Sequence, residues 1–204
     1  EGFDITKVSL GGPGLDLVKL GWVNTQHMRK KDLAELVELA KPFFLAKGYI
    51  TENSTEKELE ALTKVVEILR EGAITLKEIA ELADIYYVDS FELDKVTEEM
   101  NKNERKSVER LYHAIEDETG KKSIKLFIEK LNAANEEITA DEAKAMLHDT
   151  MEEIGEGPGK VLMPLRVVIT GRGKGAELYN VISIIGKTRT LKRINEMVAK
   201  YNIF

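Results

Sequence analysis

The stretch PLRVVITGRGKGAELY, residues 164–179, decides how the rest of the chain is read. Taken alone it reads as an apolar strand entering a glycine-rich loop that opens a helix, the layout of a phosphate-binding turn. Gly171-x-Gly173-x-x-Ala176 satisfies the looser dinucleotide fingerprint, in which glycines admit a pyrophosphate and the next helix offers it an N-terminus. The downstream residues deny that fold its second half. Only 28 residues remain after Ala176, they carry a helical period, and no second strand ends in an acid. A P-loop fails as well, because Lys174 is followed by Gly175 and Ala176 where a Ser or Thr would hold magnesium. A nucleotide-binding domain using the Gly171–Gly175 loop stays as an alternative only.

Working outward, the apolar residues recur at helical spacing almost everywhere. Leu33, Leu36, Val37, Leu39 and Ala40 mark one helix, which Pro42 is expected to kink or end before Phe43 and Phe44, with a turn at Gly48. Thr55 and Glu58 form a capping box ahead of Leu59, Leu62, Val65, Val66 and Leu69, and Gly72 closes that run. Thr75 with Glu78 opens a short helix through Leu82. The irregular segment YYVDSFELD, residues 86–94, precedes NERKSVERLYHAIEDETG (103–120), SIKLFIEKLNAAN (123–135) and a helix over 139–154 with its own Thr139–Glu142 box. Two more helices, AELYNVISIIG and TRTLKRINEMVAKY, are separated near Gly186. The expected fold class is all-α, with no internal repeat and a domain boundary between Asp89 and Glu99, where the helical period lapses.

Composition narrows the function classes. The chain has 204 residues, 43% of them hydrophobic, which is enough to fill a core. It has no cysteine, so there is neither a disulfide framework nor a thiolate nucleophile, and a reducing, cytoplasmic compartment is expected. No apolar run reaches the roughly 20 residues that span a bilayer, and the start, EGFDITKVSL, lacks the basic and apolar regions of a signal peptide. It also lacks a methionine, and the chain is expected to be a piece of a longer protein. The net charge of -6 is unevenly placed: residues 160–204 carry nine Lys/Arg against two acids, leaving 21 against 34 for the rest. A basic end on an acidic body suits a polyanion gripped at one place. The alternative is a helical protein-interaction domain whose basic end meets an acidic protein.

Residues for catalysis are not evident. His27, His113 and His148 stand far apart, none beside another His at ligand spacing, so no metal site is expected. The carboxylates in EKELE, EDETG and DTMEEIGEGPG fall on helix surfaces or turns with nothing apolar to shift them. The positive signal is the loop Thr170-Gly-Arg-Gly-Lys-Gly175, preceded by Arg166. Its glycines present backbone N–H groups, and Arg172 and Lys174 present charge, to phosphates or to unstacked bases of single-stranded RNA. Lys187, Arg189, Lys192 and Arg193 are further expected phosphate contacts.

Two blocks resemble a known family. KLGWVNTQHMRK (19–30), followed by DLAELVELAKPFFLAKGY, and VLMPLRVVITGRGKGAELYNVISIIGKTRTLKRI (161–194) are similar, in order and spacing, to blocks in the C-terminal half of bacterial class I glutamyl-tRNA synthetases. Lys19, Leu20, Trp22 and Asn24 match the first block; Pro164, Leu165, Arg166, Thr170, Gly171, Leu178 and Gly186 match the second. Trp22 reads as a packing anchor and Asn24 as a cap or local hydrogen-bond partner, so both mark the family without forming its site. The resemblance implies two helical anticodon-binding subdomains, residues 31–94 and 95–204, after a stem-contact remnant over 1–30. It implies recognition of the anticodon of tRNA(Glu), with a tRNA(Gln) as a second candidate, and neither DNA nor membrane as partner. The chain would act as a monomer.

The HIGH-like and KMSKS-like motifs that such enzymes use with ATP and Mg2+ are absent from the sequence. The chain alone is therefore expected to hold no catalytic residue and no cofactor, and to be inactive in adenylate formation. By the resemblance, Arg166 contacts anticodon bases, and the loop's contact positions fall at Gly175, Ala176 and Leu178. Only Leu178 carries the commoner residue there. The arginine with which discriminating relatives read the third anticodon base falls at Gly72, with Arg70 two residues earlier.

Overall fold

A computed structural model describes residues 16–204, and residues 1–15 of the expected remnant lie outside them. Among the described residues the chain is all-α, with ten helices and no strand. No described helix is long and apolar enough to cross a membrane.

The first group of helices comprises α1 (Leu17–Lys30), α2 (Leu33–Ala46), α3 (Glu56–Leu69), α4 (Leu76–Leu82) and the single turn α5 (Asp84–Tyr87). The starts of α1 to α4 are set by short polar side chains that satisfy orphan N–H groups, whereas α5 has no side-chain cap. Asp16 accepts from Val18 N and Lys19 N, Asp32 from Glu35 N, Thr55 closes a full capping box with Glu58, and Thr75 accepts from Glu78 N. α2 packs on α3 and α4 through Leu36, Val37, Ala40 and Phe44. Pro42, expected to kink or end this helix, lies inside it on the exposed side, so the helix does not end there. Burial of Ala40 and Phe44 on the opposite face outweighs the one backbone hydrogen bond that proline forgoes.

Trp22 is also corrected. It is 64% exposed, because α1 turns Gly21, Thr25 and Met28 inward. Asn24, expected as a cap or local partner, instead makes a long-range tie, its side-chain amide donating to Ile74 O in the α3–α4 turn.

The second group comprises α6 (Lys102–Glu116), α7 (Glu118–Ala133), α8 (Ala140–Ile154), α9 (Pro158–Thr170) and α10 (Leu178–Tyr201). α9 is its axis, packed on α6, α7, α8 and α10, with Val161, Leu165, Val167, Val168 and Ile169 fully enclosed. This corrects the strand-like reading of 164–170. A helix buried on every side has no polar face, so its sequence shows an apolar run without a helical stripe. α10 is broken at Gly186, whose φ of 74° and ψ of 175° are not helical.

A second boundary differs from expectation. The break falls at Asp117, whose side chain caps α7 by accepting from Thr119 N and Gly120 N, so Gly120 lies in the first turn of α7 instead of ending α6. A Cβ on Gly120 would stand 2.0 Å from Ala114 O, so only glycine allows this approach.

The segment between α5 and α6 holds no helix. It is pinned across the molecule, where Leu93 N donates to Tyr201 Oη at 2.7 Å. α10 packs on α5 and α3 as well as on its own group, and buried side chains of both groups join in one core.

Candidate nucleic-acid interface

The glycine-rich loop links α9 to α10, and each end is fixed by a neighbour. α9 ends at Gly171 in the left-handed region (φ 69°), its N–H donating to Val167 O at 2.8 Å. A Cβ there would lie 2.8 Å from Phe91 Cβ. Thr170 Oγ1 donates to Arg166 O at 2.7 Å and accepts from Arg172 N at 3.2 Å, which turns the chain outward. At the far end Arg166 Nη1 donates to Ala176 O at 2.7 Å, closing the loop across its base. Burial pushes the Arg166 guanidinium below its ordinary pKa, and the neighbouring Glu177 carboxylate pulls it partly back. Between these anchors Lys174 and Gly175 are exposed. Gly175 has φ 138° and open space around it. α10 then starts without any side-chain cap, leaving first-turn N–H groups beside the loop.

The expected contact residues divide sharply. Leu178 is 3% exposed and belongs to the core under α9, so it supports the loop and is not itself placed to touch a base, contrary to expectation. Gly72 lies open in the α3–α4 turn. Arg70 is folded back, Nη1 donating to Lys31 O at 3.3 Å, with Nε buried, without a hydrogen bond, and 4.0 Å from Glu71 Oε1.

Arg193, expected to meet phosphate, is corrected outright. It is 1% exposed, Nη1 donating to Ile85 O (2.7 Å) and Ile169 O (3.3 Å), Nη2 to Val88 O, with the guanidinium over the Phe91 ring at 4.9 Å. Burial, helped by the nearby Arg189 charge, pushes its pKa down to about 10, so it remains a cation at neutral pH.

Most other cations of the basic quarter are engaged too. Lys187 Nζ caps the end of α7 through Asn132 O (2.9 Å) and Ala134 O (2.7 Å). Arg189 donates to Tyr86 O (2.8 Å), Tyr87 O and Asp89, and Lys192 reaches Asp89 at 3.3 Å. Lys160 pairs with Glu156, Lys200 with Glu92, and Arg172 with Asp84. Of the nine, Lys174 is the one with no hydrogen-bond or ion-pair partner among the described residues.

The basic end is therefore not a free cationic patch. Five of its cations, Arg172, Arg189, Lys192, Arg193 and Lys200, hold α5 or the segment that follows it, while Lys174 stands outward in the loop. Sequence reasoning missed Asp84, Asp89 and Phe91, because each acts on a partner about a hundred positions away and no local pattern marks it. Elsewhere, His148, Asp149 and Glu152 present ligand atoms within 4.8 Å of one another on the open face of α8, an arrangement common on acidic helices without any ion.

A helical frame presents a glycine-rich, cation-bearing loop and a helix N-terminus without a side-chain cap at one end, an arrangement that could meet phosphate or unstacked bases. The chain belongs to the anticodon binding domain family, whose model matches residues 35–198. Its similarity runs through glutamate–tRNA ligases. The enzyme of Fusobacterium nucleatum subsp. nucleatum is 57% identical, with all of this chain aligned to 40% of that protein. That of Carboxydothermus hydrogenoformans is 36% identical over 95% of this chain and 37% of its own length. A crystal structure of a glutamate tRNA ligase from Elizabethkingia meningosepticum, 22% identical, shares the fold with a TM-score of 0.71 over 97% of this chain and 35% of that one. The chain thus spans about two fifths of the length of the curated relatives it matches.

Proposed function

We propose that this chain recognises the anticodon of tRNA(Glu) on behalf of a glutamate–tRNA ligase. The observation that carries the reading is the loop at 171–177 in a member of the anticodon binding domain family: Lys174 and Gly175 stand outward beside the uncapped start of α10. Backbone N–H groups at the loop and helix start would hydrogen-bond splayed base edges or phosphate, and Arg166 would use the donors not held by Ala176 O to read a base. Ala176 and Gly175 contribute through backbone, and Gly72, with Arg70 behind it, faces the third anticodon base from the first helical subdomain. In this reading residues 31–94 and 95–204 are the two subdomains, working in the cytoplasm as a monomer. Glutamylation, with its ATP and Mg2+, belongs to parts of the ligase that this chain does not contain, so the isolated chain forms no glutamyl adenylate.

The test is a gel-shift titration of the chain against a tRNA(Glu) transcript, the same transcript with its third anticodon base changed from C to G, and a tRNA(Gln). Binding to tRNA(Glu) is expected to weaken steeply with salt. Arg166→Ala is expected to cost about 1–3 kcal/mol and to blur the preference among the three RNAs. A chain that binds none of them at micromolar concentration defeats the proposal, and one that binds all three alike defeats its preference for tRNA(Glu).

A further inference from the structure

We infer that Asp84 is a positioning residue that presents the Arg172 guanidinium to the RNA backbone, an inference that rests on the loop being the tRNA contact. Asp84 opens α5 in the first helical group, whereas Arg172 lies in the loop of the second. Arg172 Nη2 donates to Asp84 Oδ2 across that junction. The other carboxylate oxygen, Oδ1, is buried with no hydrogen-bond partner. An acid left half-satisfied in this way is not explained by stability, because an unmade buried hydrogen bond opposes folding.

Its geometry does explain a different role. The Arg172 side chain is 42% exposed and the Asp84 side chain 28%, so the acid stands behind the guanidinium and a substantial part of the cation faces solvent. The main chain of Arg172 is held as well, its N–H donating to Thr170 Oγ1. A guanidinium fixed at both ends has already lost the rotamer freedom that a free arginine would surrender on meeting phosphate. Lys174, two residues on, has no such support and supplies charge without orientation. Through Asp84 the first helical group also sets where the loop's cation points, so the two groups are coupled at the RNA surface.

The experiment is salt-dependent tRNA(Glu) binding by the wild type, Asp84→Asn, Arg172→Ala and the double variant, with the unfolding midpoint of each followed by circular dichroism. Removing an acid beside a polyanion should by simple charge counting tighten binding. Positioning requires the reverse: Asp84→Asn weakens binding about three- to tenfold. Arg172→Ala weakens it at least as much, with the slope of log K against log salt reduced by about one. In the Arg172→Ala background, Asp84→Asn adds no further loss.

Unchanged or tighter binding by folded Asp84→Asn, or additive losses in the double variant, overturns the inference while leaving the tRNA reading intact. A wild type that binds no tRNA overturns both. Should Asp84→Asn fail to fold, Asp84→Glu keeps the charge and displaces the guanidinium; weaker binding is expected, and wild-type binding overturns the inference.

Discussion

Replacing Arg193 with alanine separates an internal staple from a phosphate contact. The side chain is enclosed, and three carbonyls, of Ile85, Ile169 and Val88, accept from its guanidinium. Each carbonyl left without a donor costs about 1–3 kcal/mol, giving a gross loss of roughly 3–9 kcal/mol. The contact with the Phe91 ring and the packing of the aliphatic stem add to it. Relief from burying a cation returns several kcal/mol, which leaves a net destabilisation on the order of 3 kcal/mol. For a domain of this size that corresponds to a fall in Tm of roughly 6–12 °C. Urea titration followed by helical circular dichroism reads the change, and Arg193→Lys, which keeps charge but not the fork, should fall between. A stability change under about 1 kcal/mol, accompanied by weaker tRNA binding with a salt slope lower by about one, would refute the argument and restore Arg193 as a phosphate contact.

Two further outcomes rest on the same kind of contact. Burial works against ionisation of Asp89, but the hydrogen bond and charge of Arg189, joined by Lys192, outweigh it and hold the carboxyl below its usual range. A depressed carboxylate contributes stability above its unfolded value of about 3.9 and loses it as pH falls through the folded value, so the urea midpoints of wild type and Asp89→Asn should differ at pH 7 and converge in acid. A midpoint gap that persists or grows in acid would contradict the staple. Gly120→Ala should lose about 3 kcal/mol or more in the same assay, since its Cβ would fall 2.0 Å from the Ala114 carbonyl oxygen and neither backbone can yield cheaply; a loss below about 1 kcal/mol would show that the α6–α7 junction relaxes.

What the chain reveals by itself is what depends on near neighbours in sequence. The boxes at Thr55–Glu58 and Thr139–Glu142 and the cap at Thr75 are four-residue hydrogen-bonding units, and each opens a helix where the sequence places it. The turn at Gly48 and the break at Gly186 are read equally well, both having positive φ. Pro42 misleads because tertiary burial of Phe44 overrides a local preference, and residues 164–170 mislead because a wholly buried helix has the apolar monotony of a buried strand. Gly120 misleads for a third reason: its role is a close approach between two helices, which resembles a helix stop in sequence. Within the candidate site, the loop and Arg166 were legible from composition and resemblance. The destinations of Arg189 and Arg193 were not, because a cation's partner is fixed by packing between α5 and α10.

The placement of charge has a consequence for how RNA would approach. With Arg193 enclosed and Arg189 and Lys192 paired to Asp89, the positive end presents less charge at its surface than its composition suggests. The rest of the chain carries an excess of acids, which repels phosphate. The loop offers Lys174, which has no hydrogen-bond or ion-pair partner among the described residues, beside the half-buried Arg172 and Arg166. A weak, localised attraction set in a repulsive surround gives little non-specific affinity, so any orientation in which RNA touches the acidic helices is penalised. On the proposed reading the staples serve recognition indirectly: by fixing α5 they hold Asp84 where it meets Arg172 at the base of the loop.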